Sequence, residues 1–533
     1  MKKVVDTCFW TTMLLLCVCL AGCISDDADC PGGGRVDYSN RESYFTVTVS
    51  MPSEATRVDY TEGEGADNAE FGTDCEDRIE DISYFLFRIS SWNAGEGASC
   101  LYQGTLGKDN AEEWQMLTNG VRLTFKIKGY VPTQDDHIIV VANLGKDASR
   151  RLTTLGTVRS YTDYRCWRAG NTPAECDHFV MASAYDDANN GIVQTKGRTG
   201  TKVDPYISDI VLHRNAARID FKFNPAKNAS GSAPYSRMDY KVHHTPGDET
   251  TPLVGCLHLT HIIPFNMAQG STYLIRRVTP GNDIAKDVEY GGREKLDDRG
   301  VPLNYVIEPH TLDKHSGVES LELWYGSTRA SEVFAHPDKH LKGTGIDTLS
   351  QNVRTVDGET FMTVSYANEN TQPMDKQLKQ YMTGLLLRGV YEPLTVYSDS
   401  AATLLSSESF ASGRTFWRYT PKQAGVIEGE CLYFDNASAA RAYNHNHGGG
   451  NGTVTEYPGG VCYYNVWIRH ARVEEATQPY PMEYAIVRNN IYRIEIEYVT
   501  GPGSPNPDYD TSKLGTYIYV RKWNLRKQPT IRL

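Results

Sequence analysis

No two cysteines of this 533-residue chain stand as Cys-x-x-Cys. The twelve cysteines are scattered, so neither a disulfide framework nor a motif-borne metal site explains them. Isolated core thiols are the expectation for Cys30, Cys75, Cys100, Cys166, Cys176, Cys256, Cys431 and Cys462; of these, Cys166 and Cys176 lie nearest in sequence. Positive charge is in deficit: 54 Lys and Arg face 66 Asp and Glu, a formal charge of −12. That argues against a nucleic-acid partner, which needs basic patches. Beyond the first two dozen residues no run is long and apolar enough to span a bilayer. There is no Gly-x-Ser-x-Gly elbow and no Walker loop. Nor is there a 20–50-residue repeat or an alternation of strand with helix. Nothing in these residues asks for catalysis or a cofactor, and the chain reads as a non-enzyme.

What is present is strand. The 33 tyrosines and 46 glycines lean toward β-structure with many turns. Residues 121–128, VRLTFKIK, alternate Val121, Leu123, Phe125 and Ile127 with polar partners, the period of a half-buried strand. HIIVVANLG, residues 137–145, is a continuous apolar run closed by Asn143 and Gly145, which predicts a strand covered on both faces. Residues 78–88 carry a helical hint running into a strand, and 182–206 read as loop. Alternation restarts at Ala217, so a boundary is placed at 207–216. Short strands are predicted at Ser320–Tyr325 (SLELWY), Phe361–Tyr366, Gly384–Tyr391, Cys462–Ile468, Tyr492–Tyr498 and Thr516–Leu525, with a last one at Thr530–Leu533. Strands at this spacing suit sandwiches, and the length calls for two or three domains. Cys256, His258 and His261 are the one cluster that could interest a metal. They sit in an apolar, strand-like stretch, so stray histidines on a core strand are the stronger reading and no metal is assigned. Asn444-His445-Asn446-His447, before three glycines, reads as a solvated loop.

The chain opens with Lys2 and Lys3, then a mostly apolar Cys8–Leu20, the proportions of a signal peptide. Leu20-Ala21-Gly22-Cys23 resembles a bacterial lipobox, in which the cysteine thiol takes lipid and anchors the new N-terminus. Each buried CH₂ of such an anchor contributes about 0.8 kcal/mol. Next comes Tyr44–Arg57, YFTVTVSMPSEATR. Phe45, Val47, Val49 and Met51 alternate with Thr46, Thr48 and Ser50, and Pro52 ends the strand. An acidic, glycine-bearing run follows, so a well-formed strand hangs on the body by an exposed linker, where nicking concentrates. Cut at Arg57, the strand could leave and expose unpaired N–H and C=O groups to another chain's strand.

The lipobox, YFTVTVSMPSEATR, VVANLG, RNAARIDFKF, and the C-terminal VRNNIYRIEIEYVTGPGSPNPD with YIYVRKWNLRKQPTIRL together resemble the Bacteroidales fimbrillins, subunits of type V pili, the minor-fimbrium shaft subunits most of all. The resemblance implies an all-β fold of two transthyretin-like β-sandwich domains in tandem. It divides the chain into a signal peptide (1–22), a pro-segment with a removable first strand (23–57), a first sandwich (58–212) and a second (213–533) ending in donor strands from about 514. It implies a lipoprotein precursor on the outer membrane with Cys23 lipidated, cut by an arginine-specific protease at Arg57 and built into surface fimbriae for adhesion. Its partners are copies of itself and accessory pilus subunits. Phe45, Val47, Val49 and Met51 belong to the strand removed. Tyr517, Ile518, Tyr519, Val520, Trp523, Leu525, Ile531 and Leu533 belong to the donor. The mature start, CISDDADCPGGG, looks more like the anchor subunits of such pili. An anchor, a tip subunit and a glycan-binding surface lipoprotein therefore stand as alternatives, with Arg35 and Arg41 as further cleavage candidates.

Overall fold

The computed structural model describes residues 39–522 except 51–71, 90–94, 118–119, 134, 164–178, 184–198, 225–236, 270–271, 285–286, 293, 296, 298–301, 312–317, 357, 374–376, 402, 404–412, 424, 448, 472–481 and 510–513; from 514 to 522 it describes the backbone alone. The chain enters the fold as β1 (Glu42–Ser50), then the single-turn helix α1 (Asp74–Asp77). There follow β2 (Asp81–Arg88), β3 (Tyr102–Gly107), β4 (Glu113–Leu117), β5 (Gly120–Lys128), β6 (Asp136–Ala142), β7 (Met181–Ser183) and β8 (Tyr206–Arg214). Their hydrogen-bonded order is β3-β2-β6-β7-β8-β1-β5-β4. β8 joins two halves: residues 206–211 run parallel to β1, and 212–214 run antiparallel to β7.

The halves face one another across a core of Phe45, Val47 and Val49 from β1, Val121, Leu123 and Phe125 from β5, and Ile82, Leu86, Ile138 and Val140 from the opposing strands. The even-numbered apolar residues of β6 face this core. Its odd-numbered partners, Ile139 and Val141, pack with Phe85, Phe87, Leu155, Val158 and Ile275 on the far side. That explains why the 138–142 run is apolar at every position: every residue of β6 is buried.

The second half contributes β9 (Ala217–Lys222), β10 (Met238–His243), β11 (Leu253–Phe265), β12 (Val353–Val356), β13 (Glu359–Ala367), β14 (Gly384–Pro393), β15 (Phe416–Thr420), β16 (Leu432–Phe434), β17 (Thr453–Tyr457), β18 (Val461–Trp467), β19 (Asn490–Val499) and β20 (Leu514–Lys522). They form sheets β12-β13-β9-β19-β20 and β10-β11-β14-β18, with a smaller β16-β15-β17. Ile219, Phe221, Leu257, Leu259, Leu385, Leu387, Tyr464, Tyr492 and Ile494 fill the space between.

Only Asn215 and Ala216 separate β8 from β9, and both are fully buried. The two halves are riveted there by charge. α1 belongs to the first half, yet its Glu76 reaches three groups of the second. Glu76 Oε2 accepts from Arg218 at 3.1 Å, and Oε1 accepts from Arg354 at 3.3 Å and from the Tyr366 hydroxyl at 2.6 Å. Arg218 also grips Asp220 at 2.9 Å, and Arg214 pairs with Asp77. On the other side of the junction, Arg488 donates to Asn215 Oδ1 at 2.8 Å, to Glu369 Oε2 at 2.7 Å and to the Tyr273 carbonyl at 2.6 Å. Buried charges of this kind are tolerated only when paired and hydrogen-bonded.

Three elements differ from the sequence reading. SLELWY lies in a helix, Val318–Tyr325, and is not a strand. Its alternation of Leu321, Leu323 and Tyr325 mimics period two. The buried residues, however, are Trp324 and Tyr325 with Leu321 packed against them, an i, i+3, i+4 set, while Leu323 is 79% exposed. The Asn444–His447 stretch is the last turn of helix Ala437–His447, not a loop. There His447 stacks on Tyr443 four residues earlier, with centroids 4.2 Å apart. The helical hint in residues 78–88 is not realised: α1 ends at Asp77, before it, and Asp81–Arg88 is strand. Cys75 is disulfide-bonded, which corrects the expectation of isolated thiols at that position. Cys100, Cys256, Cys431 and Cys462 are free.

Candidate assembly site

β1 is not an edge strand. It lies between β5, antiparallel, and β8, parallel, so both of its backbone edges are hydrogen-bonded. Phe45 faces Phe125 across one side and Tyr206 across the other, with ring centroids 5.4 Å away in both cases, and Tyr130 closes the pocket at 6.2 Å. Phe45, Val47 and Val49 are 1%, 2% and 0% exposed, so the period-two face read from sequence is the core face. Each such side chain contributes roughly 1.5–3 kcal/mol when fully buried. The other face is not free of contacts: Thr46 is buried as well, with its hydroxyl 2.9 Å from that of Thr124, while on the core face Ser43 Oγ donates to the Tyr130 carbonyl. Near the strand's end the backbones are tight, since a Cβ on Gly120 would meet the Val49 carbonyl oxygen at 2.0 Å.

A strand so placed does no chemistry. Its departure would open a slot that β5 flanks along all nine residues and β8 along residues 45–50. Met51, the last predicted member of the strand, lies outside the described residues, as do Arg57, Cys23 and Arg35. Arg41 is described and is engaged: its guanidinium donates to the Thr199 carbonyl at 3.2 Å, and its own carbonyl accepts from Gly129 at 2.8 Å. Both Arg41 and Arg35 precede β1, so a cut at either leaves β1 joined to the body. Between Ser50 and β2 the only arginines are Arg57 and Arg78. A cut at Arg78 would also detach α1 and its Glu76.

The donor candidates lie at the opposite end of the second half. Tyr517, Ile518, Tyr519 and Val520 fall in β20, which among the described residues pairs with β19 alone and so forms the sheet's edge. An outer strand can peel away at the cost of one ladder only. Trp523, Leu525, Ile531 and Leu533 lie outside the described residues.

Cys256, His258 and His261 do not converge as metal ligands. They sit on β11, where the register shift between Leu259 and His261 brings His261, opposite Arg388, to the same face as Cys256 and His258, opposite Glu392 and Val390, and His261 Nδ1 lies 3.0 Å from Thr260 Oγ1. His258 is instead clasped by two carboxylates, Asp239 at 2.7 Å and Glu392 at 3.0 Å. Among the described residues no group of three or more His, Cys, Asp and Glu is placed to hold a metal ion. Burial alone would push the His258 imidazolium pKa down. Hydrogen bonds to Asp239, the Cys256 thiol and Glu392 outweigh it and hold the value up at about 10. A histidine raised in the folded state stabilises fully below its ordinary value near 6.5 and loses that contribution as pH rises toward the folded value. The midpoint of urea unfolding should therefore fall between about pH 6.5 and 10 in the native protein. In His258→Gln that descent should flatten; an unchanged descent would show that His258 is not its source.

The buried charge cluster around Glu76 was missed from sequence. One signal was available: Thr73-Asp74-Cys75-Glu76 has the form of a capping box, and the Thr73 N–H does donate to Glu76 Oε2 at 2.7 Å.

Residues 455–529, from β17 to beyond β20, match the family described as major fimbrial subunit protein type IV, fimbrillin, C-terminal. No curated protein sequence matches the chain. Among solved structures, the tip fimbrial protein Mfa3 from Porphyromonas gingivalis, with C-terminal truncation, is 11% identical, covering 90% of this chain and 100% of its own at a TM-score of 0.34. A fimbrial assembly protein from Parabacteroides distasonis is 9% identical, covering 92% of this chain and 99% of its own at a TM-score of 0.31. The family match over the C-terminal strands supports a pilus-subunit role.

Proposed function

We propose that this chain, whose C-terminal region is that of a fimbrillin, is a structural pilus subunit that polymerises by strand exchange at the cell surface. It is exported with Cys23 lipidated, reaches the outer membrane, and is cut at Arg57 by an arginine-specific protease. β1 then leaves, and a C-terminal strand of another copy takes its slot. The observation that carries this reading is the position of β1: central, buried, paired on both edges, and joined to the body only through residues 51–71. A nine-residue strand spans about 30 Å at roughly 3.3 Å per residue, so the incoming strand must be of like length. Exchange replaces one apolar row and two ladders by equivalents, so little net free energy is required. Cleavage then governs the rate of assembly rather than its affinity.

The test is made on filaments. Subunits in purified filaments should begin at Val58. Arg57→Ala should leave a folded monomer that gives no SDS-resistant ladder, and deletion of residues 514–533 should give cleaved subunits that do not extend. Normal ladders from both variants would refute strand exchange. Filament subunits that retain residues 42–50 would assign the chain to the anchor class instead.

A further inference from the structure

The Gly/Pro run between β19 and β20 reads, from composition alone, as the loose arm on which a donor strand swings. Its contacts say otherwise. Ser504 exchanges both backbone hydrogen bonds with Tyr463 of β18, at 2.8 and 3.0 Å, so the segment continues the four-stranded sheet past its last strand. Two buried tyrosine hydroxyls hold its start: Tyr464 donates to the Gly501 carbonyl and Tyr457 to the Gly503 carbonyl, each at 2.9 Å. Asn465 Nδ2 donates to the Asp508 carbonyl, and Lys379 Nζ donates to the Tyr509 carbonyl at 2.8 Å. The Tyr509 ring lies 4.9 Å from that of Phe334, within an apolar cluster that includes Phe265 and Leu386. Gly501, Pro502 and Gly503 are buried. The glycines serve close approach rather than looseness: a Cβ on Gly503 would meet the Tyr463 carbonyl oxygen at 2.1 Å, and one on Gly501 would meet Glu428 Oε2 at 2.0 Å. Pro502, Pro505 and Pro507 have no N–H to offer outward, so a further strand could not extend the sheet there.

We propose that residues 501–509 stay docked on β18 when the C-terminal strand is released, and that this strip performs two tasks in assembly. It fixes the pivot of the donor beyond Tyr509, and it seals the β18 edge against pairing with neighbouring subunits. The proposal rests on the strand-exchange reading. With the pivot beyond Tyr509 rather than at Gly501, the swinging arm is about eight residues shorter, and its greatest reach falls by roughly 26 Å at about 3.3 Å per residue. The strip therefore sets how far away the acceptor slot of the next subunit can lie.

Two disulfide locks separate this proposal from the reading beneath it. Tyr463→Cys with Ser504→Cys ties the strip to β18. Glu495→Cys with Tyr517→Cys, a facing pair of β19 and β20, ties the donor itself down. Each variant is compared, oxidised and reduced, for its SDS-resistant ladder. The expected result is a normal ladder from the oxidised strip lock and none from the oxidised donor lock until it is reduced. A strip lock that abolishes the ladder, with recovery on reduction, overturns the proposal, because the strip must then undock. A ladder that survives the donor lock removes strand exchange, and the proposal with it. Hydrogen exchange on the unaltered protein gives an independent reading: the Ser504 amide should be as protected in filaments as in the monomer, and loss of its protection in filaments also overturns the proposal.

Discussion

Glu76→Gln is expected to lower the unfolding free energy by about 3–5 kcal/mol, the cost of removing one partner from a buried ion pair. Against the roughly 5–15 kcal/mol that holds a typical domain folded, that is a large share. The reason is local charge balance. Arg218 is fully buried and Arg354 nearly so, and both lean on Glu76, while Arg493 sits beside Asp220 in the same cluster. Asp220 alone cannot neutralise them once Glu76 loses its charge. The effect should appear as a lower urea midpoint at neutral pH with little change in slope. It also carries a pH signature. Burial would raise the Glu76 carboxyl, but the two guanidinium groups and the Tyr366 hydroxyl outweigh it and hold the value far below the usual carboxylate range. A carboxyl depressed in the folded state stabilises above its ordinary value near 4.3 and loses that contribution as pH falls below it. The gap between native protein and Glu76→Gln should therefore narrow steadily below about pH 4.3. A gap that stays constant into acid would mean that Glu76 acts by shape and not by charge.

The same cluster marks where sequence reading stops. β1, β5, β6, β18 and β19 were legible because alternation, or its absence on a strand covered from both sides, is written in consecutive residues. Pairing is not. Nothing in residues 42–50 says that β1 runs parallel to β8 and antiparallel to β5, and this decides that its exit opens a slot rather than trimming an edge. Nothing in GPGSPNPDY says that its glycines are buried against Tyr463 and Glu428, since the same letters serve an exposed turn. The helix at 318–325 shows the converse failure. Six residues are too few to tell period two from the i, i+3, i+4 face that Leu321, Trp324 and Tyr325 form. Glu76 was hidden for a further reason: its partners Arg218, Arg354 and Tyr366 lie more than 140 residues away, and spacing carries no trace of such meetings.

Phe45→Ala is expected to act on the rate of strand release more than any other single change in β1. The ring fills a pocket of three aromatic rings, Phe125, Tyr130 and Tyr206. Truncating a buried phenylalanine costs about 3–5 kcal/mol. Aromatic pairs add about 0.5–1.5 kcal/mol beyond the area they bury, so the upper part of that range applies here. In the uncut precursor the loss is paid within one covalent chain, and the variant should fold with a lower melting temperature. After a nick at Arg57 the same loss falls on a non-covalent equilibrium, the hold of the slot on its own strand. At about 1.4 kcal/mol per factor of ten, that hold weakens by roughly 10³-fold or a little more. The cleaved subunit should shed the peptide ending at Arg57 correspondingly faster, followed by mass spectrometry of the fraction that separates from the body on gel filtration. Thr48→Val, on the less buried face of the same strand, is the control and should release at the native rate. If strand departure limits assembly, filaments of Phe45→Ala should also elongate sooner after protease is added, even though the monomer is less stable. Release at the native rate from Phe45→Ala would mean that the aromatic pocket does not hold β1, and that the backbone ladders to β5 and β8 carry the barrier alone.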